Sequence, residues 1–146
     1  MPAGRPLFVA EPPALWHARP PLVVDCSVLV SQLFEEADAD TASDALRGHA
    51  LHAPALLPFE FANVARGKSR AGAPLERTRQ ALSHFDALRI ELHPVPVQPL
   101  HALALRTGLS ADDAAYLWLA AELEAPLATF DLRLGEAAAR YLNRPE

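Results

Sequence analysis

One ten-residue stretch, Pro21–Val30 (PLVVDCSVLV), limits the folds open to this chain. Leu22, Val23 and Val24 form a short apolar run, opened by Pro20 and Pro21 and ended by Asp25. Such a run predicts a strand buried on both faces, the kind found in parallel sheets. Beyond Asp25, the spacing of Val28, Leu29, Leu33 and Phe34 predicts a helix over about Ser27–Glu35. A buried strand that feeds directly into a helix is the first half of a βαβ unit. A carboxylate at that junction lies where open α/β sheets place their ligands.

The rest of the sequence repeats the alternation. Helices are expected over Ala39–Arg47, within residues 55–72, and over Pro74–Leu88 and Gln98–Thr107. Short strands are expected at Leu51–Ala53, Ile90–Leu92 and Pro126–Phe130. Ser110 opens an alanine-rich helix, and a last helix runs to about Tyr141. Strands alternating with helices imply an α/β fold with a mainly parallel sheet of four to five strands. Residues 1–20 hold five prolines, and read as an irregular arm before one domain at 21–146. Hydrophobic residues make up 51% of the 146, enough for a real core. The net charge of -5 argues against loose electrostatic binding of nucleic acid. It leaves open a nucleic-acid substrate handled through cations, which invert the local field. A single cysteine, Cys26, permits no intrachain disulfide and fits a reducing cytoplasm. No apolar run approaches a membrane span.

Four acids stand at informative places. Asp25 ends the first strand, and Asp131 follows the last. Asp113 opens the helix before that strand, with Asp112 beside it. Glu60 lies early in the apolar helix at residues 55–72, between Phe59 and Phe61. Each has a plain structural account. Asp25 and Asp131 suit helix caps, Ser110-x-x-Asp113 resembles a capping box, and Glu60 suits a helix surface. Together they say more. In a parallel sheet with crossover helices, strand C-termini and the following helix N-termini share one edge. Three of the acids therefore fall on that edge, and Glu60 can reach it. An unpartnered cluster of carboxylates repels itself. Hard divalent cations remove that repulsion and prefer oxygen ligands, which points to Mg2+ or Mn2+.

These segments resemble the motifs of PIN-domain ribonucleases. VVDCSVL is similar to the family's opening strand, with Asp25 as first acid and Ser27 as the small hydroxyl. FEFANV, with Glu60 and Asn63, resembles the second motif. LSADDAAYLWLA resembles the third, with its acid at Asp113, and LATFDLRL the fourth, with Thr129 and Asp131. The ordered set spans residues 22–134 and is most similar to the VapC-like toxins of bacterial toxin–antitoxin pairs. The resemblance implies a three-layer α/β/α sandwich and a metal-dependent endoribonuclease. It implies that Asp25, Glu60, Asp113 and Asp131, with Asp112 as a possible addition, hold one or two Mg2+ or Mn2+ ions. Four acids account for -4 of the net charge, which two divalent ions would cancel. Ser27 or Thr129 would orient a phosphate or a water.

The resemblance further implies a transfer or ribosomal RNA substrate, a cognate antitoxin and a homodimer. Arg66, Lys68 and Arg70, after the Glu60 motif, are candidate phosphate contacts; a solvated basic face is the alternative. Among the six histidines, His49 and His52 lie three apart with no cysteine near and read as surface residues. Tyr116–Leu119 read as core or dimer contacts, and Cys26 as a small buried apolar residue. A non-catalytic PIN-like module that binds protein or RNA is the main alternative. A phosphatase with Asp25 as nucleophile would want a second Asp at position 27, where Ser27 stands. A receiver domain would want a well-placed lysine, and the only one is Lys68.

Overall fold

The computed structural model describes residues 19–143. All but the last two residues of the expected proline-rich arm lie outside them. Four strands, β1 (Pro21–Val24), β2 (Ala50–Pro54), β3 (Glu91–His93) and β4 (Leu127–Ala128), alternate with seven helices. The helices are α1 (Cys26–Leu33), α2 (Ala39–Leu46), α3 (Leu57–Arg70), α4 (Leu75–Ala87), α5 (Val97–Thr107), α6 (Ala111–Glu122) and α7 (Leu132–Leu142). The sheet order is β3-β2-β1-β4, and every pairing is parallel.

That order decides where a ligand site can form. The chain steps outward from β1 through β2 to β3, then returns to the opposite side of β1 for β4. Connections therefore diverge between β1 and β4, which makes the C-terminal ends of these two strands a topological switch point. Val23 and Val24 are fully buried there, as the unbroken apolar run predicts.

Two helical groups complete the layers. Helices α1, α2, α3 and α4 pack among themselves, and α5 and α7 flank α6. Helix α6 lies against β1, β2 and β4. It is apolar nearly all round, with Ala114–Leu117, Leu119 and Ala120 buried, as a helix enclosed on most sides requires. In the other group, the Phe61 ring stacks on Phe85 at 4.5 Å and meets Phe34 at 5.8 Å, joining α3 to α4 and to the end of α1. Full burial of each such side chain contributes about 1.5–3 kcal/mol.

Local signals set the element ends. Gly108 closes α5 with φ of 72°, a left-handed conformation that glycine adopts without penalty. Two residues later Ser110 caps α6, its Oγ accepting from the Asp113 amide at 3.2 Å. The last strand is shorter than the Pro126–Phe130 span expected from sequence. The reason lies in its hydrogen bonds. The Phe130 amide donates to Ser27 Oγ at 3.0 Å, and the Asp131 amide to Thr129 Oγ1 at 2.9 Å, so neither joins the ladder.

Candidate active site

Asp25 stands at the N-cap position of α1, yet its side chain makes no capping bond. Its Oδ2 instead accepts two hydroxyl hydrogen bonds, from Ser27 Oγ and from Thr129 Oγ1, both at 2.7 Å. Each hydroxyl in turn accepts a backbone N–H from the segment after β4. The proton order in this network is therefore fixed. Both hydroxyls must give their protons to Asp25, and the carboxylate is held as an acceptor. Its Oδ1 has no hydrogen-bond donor among the described residues. Asp25 is 7% exposed, the one buried charged side chain among the described residues.

The other acids converge on it. Asp25, Glu60, Asp112, Asp113 and Asp131 line one open cleft of about 860 Å³, together with Glu36, Asp38, Asn63 and the small residues Ser27 and Ser31. Among the described residues, seven carboxylates border this cleft, and no lysine, arginine or histidine does. Asp131 also serves as a true helix cap, its Oδ1 accepting from the Leu134 amide at 2.9 Å, which fixes the carboxylate at the start of α7. Asp112 is exposed, and Asp113 is half-buried.

Crowding shows in the titration of two of these groups. Burial, then repulsion from Asp131 and Asp25, holds Asp113 above the usual aspartate range, against the pull of its bond with Ser110. Burial likewise raises Glu60, with Asp25, Asp112 and Asp113 adding to it, while the Tyr116 hydroxyl pulls the other way. Desolvation and like charge thus win over hydrogen bonding at both positions. Cys26, beside Asp25, is pushed up to about 12 by burial, then by Glu60 and Asp25, so its thiol stays protonated at neutral pH.

Tyr116 makes a contact with the cleft that sequence reasoning missed. Its ring is fully buried, as a core residue's would be, but its hydroxyl donates to Glu60 Oε1 at 2.5 Å. Burial, then the bond and charge of Glu60, raise the phenol far above its ordinary value, so it remains a donor. The available signal was a tyrosine one helical turn after Asp113, whose buried hydroxyl would need a partner. Glu36 and Asp38 were missed too, because they lie in the turn after α1, outside any expected element.

The three basic candidates stay outside the cleft lining. Arg66 and Arg70 are exposed on α3. Lys68 pairs with Glu36 at 3.3 Å and lies 4.8 Å over the Phe34 ring, at the cleft's margin. The expectation for His49 and His52 needs a correction. His49 is half-buried, with Nδ1 3.1 Å from the Arg47 carbonyl. His52 sits on β2 with its side chain only 14% exposed, against His93 of β3. No short spacing announces that pair, since 41 residues separate its members and only the β2–β3 pairing joins them.

A parallel sheet with a buried acid at its switch point and further acids around it defines an α/β protein with a carboxylate-lined cleft at one sheet edge. The family model for the PIN domain matches residues 22–140, and the chain belongs to that family. Ribonuclease VapC3 of Pyrobaculum aerophilum is 30% identical, over 79% of this chain and 92% of its own length. Ribonuclease VapC9 of Mycobacterium tuberculosis is 34% identical, over 79% and 89%. Among solved structures, PAE2754 from Pyrobaculum aerophilum superposes with a TM-score of 0.66 at 22% identity, covering 89% of this chain and 88% of that one, which supports the fold.

Proposed function

We propose that the chain is a metal-dependent endoribonuclease, the toxin of a toxin–antitoxin pair, and that residues 21–146 form its nuclease domain. The observation that carries this reading is the cleft lined, among the described residues, by seven carboxylates and no basic side chain, centred on a buried Asp25 whose orientation is fixed from two sides. Likeness to proteins named ribonucleases over most of their length supports the reaction class.

The donor set fits a hard cation, being all carboxylate oxygen and crowded enough to raise Glu60 and Asp113. Asp25, Asp113 and Asp131 would hold one or two Mg2+ or Mn2+ ions, with Glu60 reaching them directly or through water. A bound divalent ion supplies Lewis-acid stabilisation of the scissile phosphate and activates water for attack. Ser27 and Thr129 act by holding Asp25, because their protons are engaged by its Oδ2. Tyr116 keeps one oxygen of Glu60 occupied and so fixes where the other can reach. Asp113 serves as the third-motif acid, being the more shielded of the adjacent pair, with Asp112 at the rim. Arg66 and Arg70 on the exposed flank of α3 would meet the phosphates beside the cut, positioning RNA without reading its sequence. A transfer or ribosomal RNA substrate, a cognate antitoxin, a homodimer and a cytoplasmic location complete the proposal. Among the described residues no helix is long and apolar enough to cross a membrane.

The direct test is cleavage of structured RNA by the purified chain. EDTA should abolish it, and Mg2+ or Mn2+ should restore it. Cleavage that persists in EDTA overturns the proposal, and metal binding without cleavage favours a non-catalytic module. A finer test uses Tyr116→Phe, which deletes one hydroxyl from the core. The variant should need about 10–100-fold more metal for half-maximal cleavage, the usual cost of losing a support to a metal ligand, and should recover at high metal. An unchanged metal requirement would show that Tyr116 is only a packing residue.

A further inference from the structure

Away from the acidic cleft, three potential metal ligands meet at the sheet edge: His52 of β2, and Glu91 and His93 of β3. The sheet geometry itself brings them together. His52 is level with Glu91, and Pro54 with His93. Side chains along a strand alternate between faces, so Glu91 and His93 share a face, and His52, level with Glu91, shares it too. One donor atom from each lies within 4.8 Å of the others. His52 Nδ1 is 2.9 Å from His93 Nε2 and 3.5 Å from Glu91 Oε2. The two rings are tilted by 34°, with centroids 5.2 Å apart.

Two of the three separations are close to those of a coordination polyhedron. Ligands about 2.0–2.1 Å from a tetrahedral Zn2+ stand about 3.3 Å from one another. The two His52 distances bracket that value, whereas His93 and Glu91, within 4.8 Å of each other, would have to close by about an ångström around an ion. Protons alone serve the group less well. Two facing imidazole nitrogens can share only one proton, and His52 Nδ1 can give a single proton to His93 or to Glu91, not to both. A cation satisfies all three lone pairs at once. The remaining coordination position would face solvent, because Glu91 is 68% exposed.

We propose that His52, Glu91 and His93 form a second cation site that takes a Zn2+-class ion and clamps the edge strand β3 to β2. The donor set sets the selectivity. Imidazole nitrogen suits borderline transition metals, whereas the all-carboxylate cleft suits Mg2+ and Mn2+. Electrostatics points the same way. Arg47 and Arg89 line the cavity beside His52 and Glu91, and Arg47 is paired with Asp44 at 3.1 Å. This rim opposes any cation, so binding would rest on bonds to the imidazole nitrogens rather than on charge. None of the three ligands lines the acidic cleft. The clamp also has a structural use, since β3 has only three residues and β2 as its one partner among the described strands. This proposal stands apart from the nuclease reading.

The test uses the full chain carrying Asp25→Asn and Asp113→Asn, so that the acidic cleft is disabled, stripped with chelator and titrated with Zn2+ alone. One Zn2+ per chain should bind, Tm should rise by several degrees, and a hundredfold excess of Mg2+ should not displace the ion. His93→Gln, and separately Glu91→Gln at an exposed position, should weaken binding at least about tenfold with the circular dichroism spectrum unchanged. Co2+ in place of Zn2+ should give a visible absorption band that His93→Gln abolishes. No Zn2+ uptake in this background, or uptake unaffected by both substitutions, would show that the histidines form a hydrogen-bonded pair and nothing more.

Discussion

Asp25→Asn should lower RNA cleavage on the order of 10³-fold while leaving Tm within a few degrees of the wild-type value. The expectation follows from proton order. Ser27 Oγ and Thr129 Oγ1 each accept a backbone N–H, so each must donate toward residue 25. An asparagine can satisfy both only by turning its carbonyl oxygen toward them. Its NH2 group then occupies the place of Asp25 Oδ1, and a hydrogen-bond donor stands where a cation ligand is needed. The variant therefore loses the site's charge and acquires a group that repels the ion, with its internal bonds intact. Asp25→Ala should behave differently. It leaves two hydroxyls without an acceptor next to a buried strand, at about 1–3 kcal/mol for each such group. Single-turnover cleavage alongside thermal melts of both variants checks the pair. Asparagine activity within tenfold of wild type would remove Asp25 from the centre of the mechanism.

Asp113→Asn should abolish cleavage comparably and yet make the metal-free protein more stable at neutral pH. Asp113 and Glu60 both titrate above their ordinary values of 3.8 and 4.5. The native state thus keeps these protons to higher pH than the unfolded chain does. The associated stability is complete below those ordinary values and is lost as pH rises through the raised ones. At neutral pH without metal, the fold bears the full repulsion. An asparagine at position 113 removes the charge and keeps an oxygen for local bonding. It also forfeits a favourable charge in the first turn of α6, worth about 0.3–1 kcal/mol. The upward shift of Asp113 indicates that burial and repulsion outweigh the favourable local bond. Because the group is partly exposed, screening keeps the net gain small, about 2–4 °C in Tm. Thermal melts in EDTA from about pH 4 to 8 should show wild-type Tm falling with pH more steeply than the variant's. Millimolar Mg2+ should raise the wild-type Tm more than the variant's, since the ion binds only the native site. A variant less stable than wild type in EDTA at pH 7 would mean that Asp113 is first of all a helix-capping residue.

Much of the architecture was legible because each element carries its own local signal. The run at Leu22–Val24, the Ser110 cap and the Gly108 turn each act within a few residues, and the strand–helix alternation implied a parallel sheet. Most of the cleft's acids were legible for a topological reason, since strand ends and helix starts share an edge, whereas Glu36 and Asp38, in the turn after α1, were not. The contacts that shape the site were not. The Tyr116–Glu60 bond spans 56 residues and the Thr129–Asp25 bond 104, and no periodicity encodes such pairs. His52 shows the same limit, because its partners come from a neighbouring strand. The helix-cap account held for Asp131 and failed for Asp25, although both stand at the same kind of junction. The difference is Thr129, which draws the Asp25 carboxylate away from α1 and across to β4.

That crossing from β4 has a consequence for how the protein is made. Asp25 leaves the ribosome first, and Thr129 and Asp131 come more than a hundred residues behind it. Until β4 takes its place beside β1, the Asp25 carboxylate lacks its second support and the fourth acid is absent. A nascent chain that has not yet released residues 127–131 carries an incomplete centre, however well its earlier helices have packed. Within residues 19–143 the candidate centre is thus complete only once β4 has docked beside β1.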